Sequence, residues 1–353
     1  MAGFLLNGAG WRRVPAMQNL ITDVPGLRVG NAHDARVASG VTALIFDGPA
    51  VASIAIHGGA PGTRDCALLA PEMTIERIDA LVLSGGSAFG LDAPGGVQAW
   101  LRTQGRGYAV GSARVPLVPG AILFDLLNGG AKDWARQPPW WELGFAAAQN
   151  AAVDFALGTA GAGYGATTAN LKGGLGSASA VASNGYHVGA LAAVNALGQA
   201  TIGNGPHFWA APYERGGEFG GLGLPVRLPP EALAIHLKGD PAPAAGANTT
   251  LAIVVTDAAL TKAQASRLAL MAHDGLARAL RPAHAALDGD IVFAAATGHA
   301  PRLPGLRDLT EIGALAADCL ARAIARGVYQ ARALPFTGAL PDWRGAFAPA
   351  GPA

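Results

Sequence analysis

The sequence predicts an α/β fold packed as one intimate unit. Strand-like and helix-like segments alternate along the chain. The strand-like runs are apolar at consecutive positions, as in strands buried on both faces. Apolar residues make up 51% of the 353 positions and charged residues only 14%, against about 25% charged in an ordinary soluble domain. Such a chain has ample material for a large core.

The elements follow in order. Residues 1–18 read as a loose N-terminal extension, and residues 19–353 as the single domain. Val41 to Phe46 is β-branched and ends at the turn pair Asp47-Gly48, and Val51 to Ile56 follows, so the two runs predict a hairpin. Ile78 to Leu83 is a third strand, ending in Ser84-Gly85-Gly86-Ser87. Ala88 to Leu101 reads as a helix, interrupted by Pro94-Gly95-Gly96. Residues 130–145 predict a surface loop, with a helix from about Gly144. Trp134, Trp140 and Trp141 in that loop suit an interface, a cleft wall or the core. Residues 188–195 and 199–203 predict another strand pair. The Pro/Ala/Gly run at 239–248 has no periodicity and runs into the strand TTLAIVVTDA. Thr261 with Gln264 fits a capping box, and Ala265, Leu268, Ala272, Leu276 and Ala279 recur behind it at helical spacing. Ile291 to Ala296 is a strand, and Ile312, Leu315, Ala316, Cys319 and Ala323 mark the core face of the last helix.

Charge excludes several functions. Lys and Arg number 25 against 24 Asp and Glu. No basic run exists to neutralise phosphates, so no nucleic-acid partner is expected, nor a polybasic membrane surface. No charged residue stands between Lys172 and Glu214, yet Ser, Asn, His, Gln and Gly punctuate that stretch, so it is no membrane span. Cys66 and Cys319 cannot build a disulfide scaffold, and reduced thiols suit a cytoplasmic protein. No P-loop occurs. None of the eight histidines forms HExxH or a close pair, so neither a metal nor a cofactor is expected.

Three constellations carry chemistry. At Asn248-Thr249-Thr250 a flexible segment meets a strand at a hydroxyl residue. An internal Thr in that place can attack the carbonyl before it, and the freed α-amine then serves the hydroxyl as its own base. Ordinary Thr β-propensity explains the same residues structurally. Asp288-Gly289-Asp290 stands just before a strand, where alternate residues share a side. Such a pair holds an ammonium, orients a hydroxyl or shares a proton, or is only a polar turn. The Gly-rich run Gly161 to Gly176 contains Lys172, the last charge before the neutral stretch. Asn195, in the apolar strand LAAVNALG, needs hydrogen-bond partners or serves an oxyanion.

Taken in order, these residues resemble the self-processing amino-terminal-nucleophile amidase family. That family includes L-aminopeptidase D-Ala-esterase/amidase, β-peptidyl aminopeptidases and the nylon-oligomer (6-aminohexanoate) endohydrolases. The resemblance rests on Val24-Pro25-Gly26-Leu27-Arg28-Val29-Gly30, Gly58-Gly59-Ala60-Pro61-Gly62-Thr63-Arg64, Gly85 to Leu91, Gly161 to Gly176, Asn248-Thr249-Thr250 and Asp288-Gly289-Asp290. It spans roughly residues 19–330.

The resemblance implies a four-layer αββα sandwich, cut between Asn248 and Thr249 into an α chain (1–248) and a β chain (249–353). It implies Thr249 as nucleophile, Asn195 as oxyanion donor, Lys172 as a site lysine and Asp288 and Asp290 as the site acids. The Thr/Asp/Asp set looks like the nylon-hydrolase branch. Phe124 stands where the family has a tyrosine, so it lines the substrate pocket or marks a missing hydroxyl. The implied activity is hydrolysis of small peptides, amides or esters with an amino end. The alternatives are an endo-acting hydrolase of 6-aminohexanoate oligomers and a non-processing homologue that binds amino compounds. The resemblance also implies a homo-oligomer, a tetramer of processed protomers.

Overall fold

The computed structural model describes residues 17–241 and 248–347, together with the backbone of two short strands, β1 (Phe4–Asn7) and β2 (Gly10–Arg13). Most of the Pro/Ala/Gly run at 239–248 therefore lies outside the described residues. In chain order the further elements are β3 (Leu27–Asp34), β4 (Ser39–Ile56), β5 (Thr63–Arg64), β6 (Arg77–Ser84), α1 (Ala93–Thr103), β7 (Tyr108–Val110), β8 (Ala113–Val115), β9 (Gly120–Ile122) and α2 (Trp140–Gln149). Then come β10 (Gly174–Val181), β11 (His187–Asn195), β12 (Thr249–Thr256), α3 (Lys262–Ala272), α4 (Asp274–Ala279), β13 (Ile291–Ala296), α5 (Leu306–Gln330) and α6 (Trp343–Phe347).

The expected hairpin at 41–56 is instead one 18-residue strand, β4. Its pairing with β6 slips between Ile45 and Ala50, because Asp47, Gly48 and Pro49 loop outward, exposed, as a bulge. A bulge bends its strand and sharpens the twist. The N-terminal half of β4 therefore pairs with β3 and β6, while its C-terminal half pairs with β13. Beyond β13 the order runs β12, β11, β10. The turn signal at Asp47-Gly48 marks where one strand passes from the first half of the sheet to the second.

Three apolar clusters make the layers. Leu44, Phe46, Leu81 and Leu83 of the first half face Leu191, Leu251, Ile253 and Phe293 of the second. Alternate residues of the second half, such as Ala252, Val254 and Val292, point away onto α3, α4 and α5 through Leu268, Leu276, Ile312, Leu320 and Ile324. Val41, Ala43, Ile45 and Val82 do the same on the other side, onto Val97, Leu101 and Trp140 of α1 and α2. The result is the expected αββα sandwich. Both faces of β12 are covered, so all eight of its residues are buried, which explains the unbroken apolar run.

Four local expectations change. The first helix starts at Ala93, after a 3-10 turn over Ser87–Asp92, because Pro94 suits a first helical turn rather than a helix interior. The helix expected from Gly144 starts at Trp140. Trp140 itself is core, with its indole N–H donated to Ser39 Oγ at 3.0 Å, so the buried ring leaves no polar atom unpaired. Residues 199–203 form isolated bridges to Arg281 and Phe208 instead of a strand. Within the N-terminal extension β1 and β2 pair as an antiparallel hairpin. The capping box holds: Thr261 Oγ1 accepts from Gln264 N–H, and the Gln264 side chain accepts from Thr261 N–H.

Candidate active site

The end of β11 and the start of β12 meet at one edge of the sheet, where Asn195 is the register partner of Thr249. β13 runs parallel to β12. That register carries back past its first residue, so Asn248 bridges Asp288. The four polar residues that the sequence marks at strand ends are thereby collected beside the Asn248–Thr249 bond. All are buried.

The Thr249 hydroxyl lies against the Asn248 carbonyl oxygen. The same oxygen accepts the Gly289 N–H at 3.0 Å. That N–H is shared, because Asp288 Oδ1 also accepts it at 3.0 Å. Gly289 has no room for a side chain: a Cβ there would stand 2.5 Å from Thr249 Oγ1 and 2.8 Å from Ala60 O. Asn248 carries a further peculiarity. Both polar atoms of its side chain are buried without a hydrogen-bond partner among the described residues, a costly arrangement in a folded protein.

The two acids differ in their surroundings. Asp290 Oδ1 accepts the Thr250 N–H at 3.0 Å and Oδ2 accepts the His284 N–H at 2.8 Å, so its carboxylate ties the first turn of β12 to the loop before β13. Asp288 Oδ2 accepts only a longer bond, 3.2 Å from Leu197 N–H. Burial, and the neighbouring Asp290 charge, hold the Asp288 carboxyl well above the usual carboxylate range. Gly58 clamps this loop. A Cβ on it would meet Asp290 N at 2.2 Å, and the Gly58 N–H is bonded to the Asp290 carbonyl at 3.2 Å.

Asn195 is held on three sides. Its Nδ2 donates to the Phe124 carbonyl at 2.9 Å, and its Oδ1 accepts the Thr167 N–H at 3.0 Å. The Lys238 ammonium donates to Asn195 Oδ1 at 3.1 Å and to its backbone oxygen at 3.2 Å. Lys238 carried no signal in the sequence beyond its place just before the Gly/Pro run. Burial draws its pKa down to about 7, with attraction from Asp288 and Asp125 opposing.

Lys172 is fully buried, and its Nζ donates to the carbonyls of Gly163 (2.9 Å), Ala166 (2.8 Å) and Gly173 (2.8 Å). The Gly-rich run is thus a cage of carbonyls around one ammonium. Three acceptors match the three N–H groups of a charged lysine, while burial pulls its pKa down to about 7. Asp125 is a second residue that sequence reasoning passed over, although it follows Phe124 directly. Its Oδ1 accepts the Gly86 N–H at 2.8 Å and its Oδ2 has no hydrogen-bond partner. Burial pushes this carboxyl up, against the pull of Lys132 and Lys172.

A cleft of about 580 Å³ opens on this edge. Phe124, Leu127 and Leu340 supply apolar wall, and Asp125, Thr167, Asn195, Lys238 and Asn248 supply polar atoms. The Phe124 side chain is half-buried at its rim. Such a cleft has the mixed lining of a small-molecule site.

Beside Asp290 a further group assembles that no sequence spacing announced. His57, His273 and His284 bring three ligand atoms within 4.8 Å of one another. Burial draws the His273 imidazole down to about 4, so it is neutral at ordinary pH.

Residues 19–339 match the family described as Peptidase family S58. An uncharacterized aminopeptidase of Mycobacterium tuberculosis (strain ATCC 25618 / H37Rv) is 43% identical over 351 residues, which is 93% of this chain and 98% of that protein. A 6-aminohexanoate-oligomer endohydrolase of Kocuria sp. (strain KY2) is 28% identical over 326 residues, 87% of this chain and 85% of the other. Among solved structures, the L-aminopeptidase D-Ala-esterase/amidase of Ochrobactrum anthropi superposes with a TM-score of 0.66 at 21% identity, covering 92% of each chain. That structure is described as a variant of the Ntn hydrolase fold, in agreement with the four layers seen here.

Proposed function

The chain belongs to peptidase family S58, and from that premise we propose that it is a self-processing amide hydrolase with Thr249 as its nucleophile. One observation carries the reading. The Thr249 hydroxyl rests against the carbonyl it must attack, and that carbonyl oxygen already accepts a backbone N–H from Gly289. In the first step Thr249 Oγ bonds to the Asn248 carbonyl carbon, and its proton passes to the departing amide nitrogen. The peptide becomes an ester. The Gly289 N–H supports the negative charge that builds on the carbonyl oxygen. Water then hydrolyses the ester, leaving a carboxylate on Asn248 and a free hydroxyl and α-amine on Thr249. The products span residues 1–248 and 249–353.

In the processed protein the Thr249 α-amine takes the hydroxyl proton, since α-amino groups titrate at about 7.7–8.0. Asn195, across the strand pair, faces the developing oxyanion. Asp290 ties the Thr250 N–H to the His284 N–H, so it positions the nucleophile. Asp288, whose oxygens accept only a shared N–H and a longer one and whose carboxyl burial pushes up, is the acid that meets the amine. Lys172 gathers the carbonyls of Gly163, Ala166 and Gly173 and so holds in place the loop that carries Thr167. The substrate is a small peptide, amide or ester with an amino end, and the reduced thiols Cys66 and Cys319 fit a cytoplasmic setting.

A second reading, endo-acting hydrolysis of 6-aminohexanoate oligomers, is favoured by the Kocuria relative and by the apolar wall of Phe124, Leu127 and Leu340, which suits aliphatic chains. A substrate panel decides between them. Faster release from aminoacyl amides than from 6-aminohexanoate trimers supports the first reading, and the reverse supports the second. The Thr249→Ala variant is expected to run as one band on a denaturing gel and to hydrolyse neither. Undiminished turnover by that variant would overturn the proposed nucleophile.

A further inference from the structure

We propose that His57, His273 and His284 form a binding site for one divalent transition-metal ion of the zinc, nickel or copper type. The three come from distant parts of the chain. His57 follows the last residue of β4, His273 stands between α3 and α4, and His284 lies in the loop leading to Asp288. Their ligand atoms lie within 4.8 Å of one another, the one such group of three among the described residues. Zinc–nitrogen distances of about 2.0–2.1 Å put tetrahedral ligand atoms roughly 3.3 Å apart, so small side-chain shifts close the site.

His273 is prepared as a ligand. Its Nε2 donates to the Ala55 carbonyl at 3.0 Å, which leaves the lone pair on Nδ1. That Nδ1 is buried and has no hydrogen-bond partner. A backbone carbonyl on the far ring nitrogen is the support that metal-binding histidines use to fix their tautomer and orientation. His284 stands edge-on to both other rings, 4.9 Å from His273 and 5.2 Å from His57 between centroids. Its Nδ1 stands 3.1 Å from Asp290 Oδ2, so a carboxylate pairs with the third ligand's ring. His57 stacks on His273 with centroids 3.8 Å apart and is exposed. It is free to turn a nitrogen toward the ion, and coordination then replaces the stack.

Three imidazoles prefer borderline ions over magnesium or calcium, which take oxygen ligands. The bound ion staples the end of β4, the α3–α4 junction and the loop carrying the two site acids. An ion that binds only the folded chain raises its melting temperature.

The test is calorimetric titration of Zn²⁺ into the chelator-stripped full chain, with Mg²⁺ as the hard-ion control. The proposal expects one Zn²⁺ per chain, no Mg²⁺ uptake and a Zn²⁺-dependent rise in melting temperature. His57→Asn keeps an exposed polar side chain. It is expected to weaken Zn²⁺ binding at least tenfold and abolish the thermal rise, with the metal-free melting temperature unchanged. His236→Ala, outside the cluster, is expected to bind as the unaltered chain does. Absence of Zn²⁺ binding, or binding that His57→Asn leaves intact, would overturn the site. Equal loss in His236→Ala would do the same.

Discussion

Thr249 is confined by the backbone of Gly289, whose N–H reaches the Asn248 oxygen while its Cα leaves no space for a methyl group. Gly289→Ala is therefore expected to push the hydroxyl off the carbonyl and to slow self-cleavage at least a hundredfold, read as persistence of the intact chain on a denaturing gel over time. Cleavage at the original rate would show that this contact is incidental. Lys238 gives a second expectation at this scale. Its pKa falls to about 7 in the folded chain from 10.5. Between those values the unfolded chain holds the extra proton, so stability rises with pH. Lys172 shares that direction, so Lys238→Met is expected to make the rise in melting temperature from pH 7.5 to 9 shallower without removing it. Asn195 stands out in the sequence as a polar residue inside an apolar strand, and Thr249, Asp288 and Asp290 as polar residues at strand starts, while their roles come only from the family resemblance. Gly289, Lys238 and Asp125 do not stand out, since each acts through an approach that exists only after folding.

Elements were legible where local chemistry agrees with the surroundings. Thr261 and Gln264 satisfy each other at the start of α3, and the helix begins where the capping box places it. Thr261→Ala is expected to cost about 0.5–2 kcal/mol, measured as a lower urea midpoint with an unchanged slope. β4 shows the opposite case. A sound turn pair, Asp47-Gly48, is overridden because both flanking runs gain more from burial in one bent strand than from pairing with each other. Pro94 was read as a helix breaker, yet in the first turn of α1 it has no lost bond to pay for. The stretch 199–203 carries the residues of a strand but lacks an adjacent strand edge, and its groups pair singly with Arg281 and Phe208. The three histidines were invisible for a similar reason: the α3–α4 junction and the end of β4 come together only through the sheet order.

Over the whole molecule, composition foretold a large core, and the four layers use it. Part of the exposed apolar surface lies on one segment, which carries Leu222, Leu224, Val226, Leu228, Leu233 and Ile235, all exposed, with Val226 wholly so. Exposed apolar residues grouped on one segment suit an interface, as the homo-oligomer that the family resemblance implies requires. Val226→Asp is expected to shift sedimentation toward smaller species, and a monomer for the unaltered chain would contradict the assembly. No helix among the described residues is long and apolar enough to cross a membrane. The proposed activity depends on one covalent event at the sheet edge where β11, β12 and the acid loop converge. N-terminal sequencing of the smaller chain in the purified, active protein tests it most directly. The expected sequence is Thr-Thr-Leu-Ala-Ile, beginning at Thr249. A chain beginning at Thr250, or full activity from an uncut polypeptide, would contradict it.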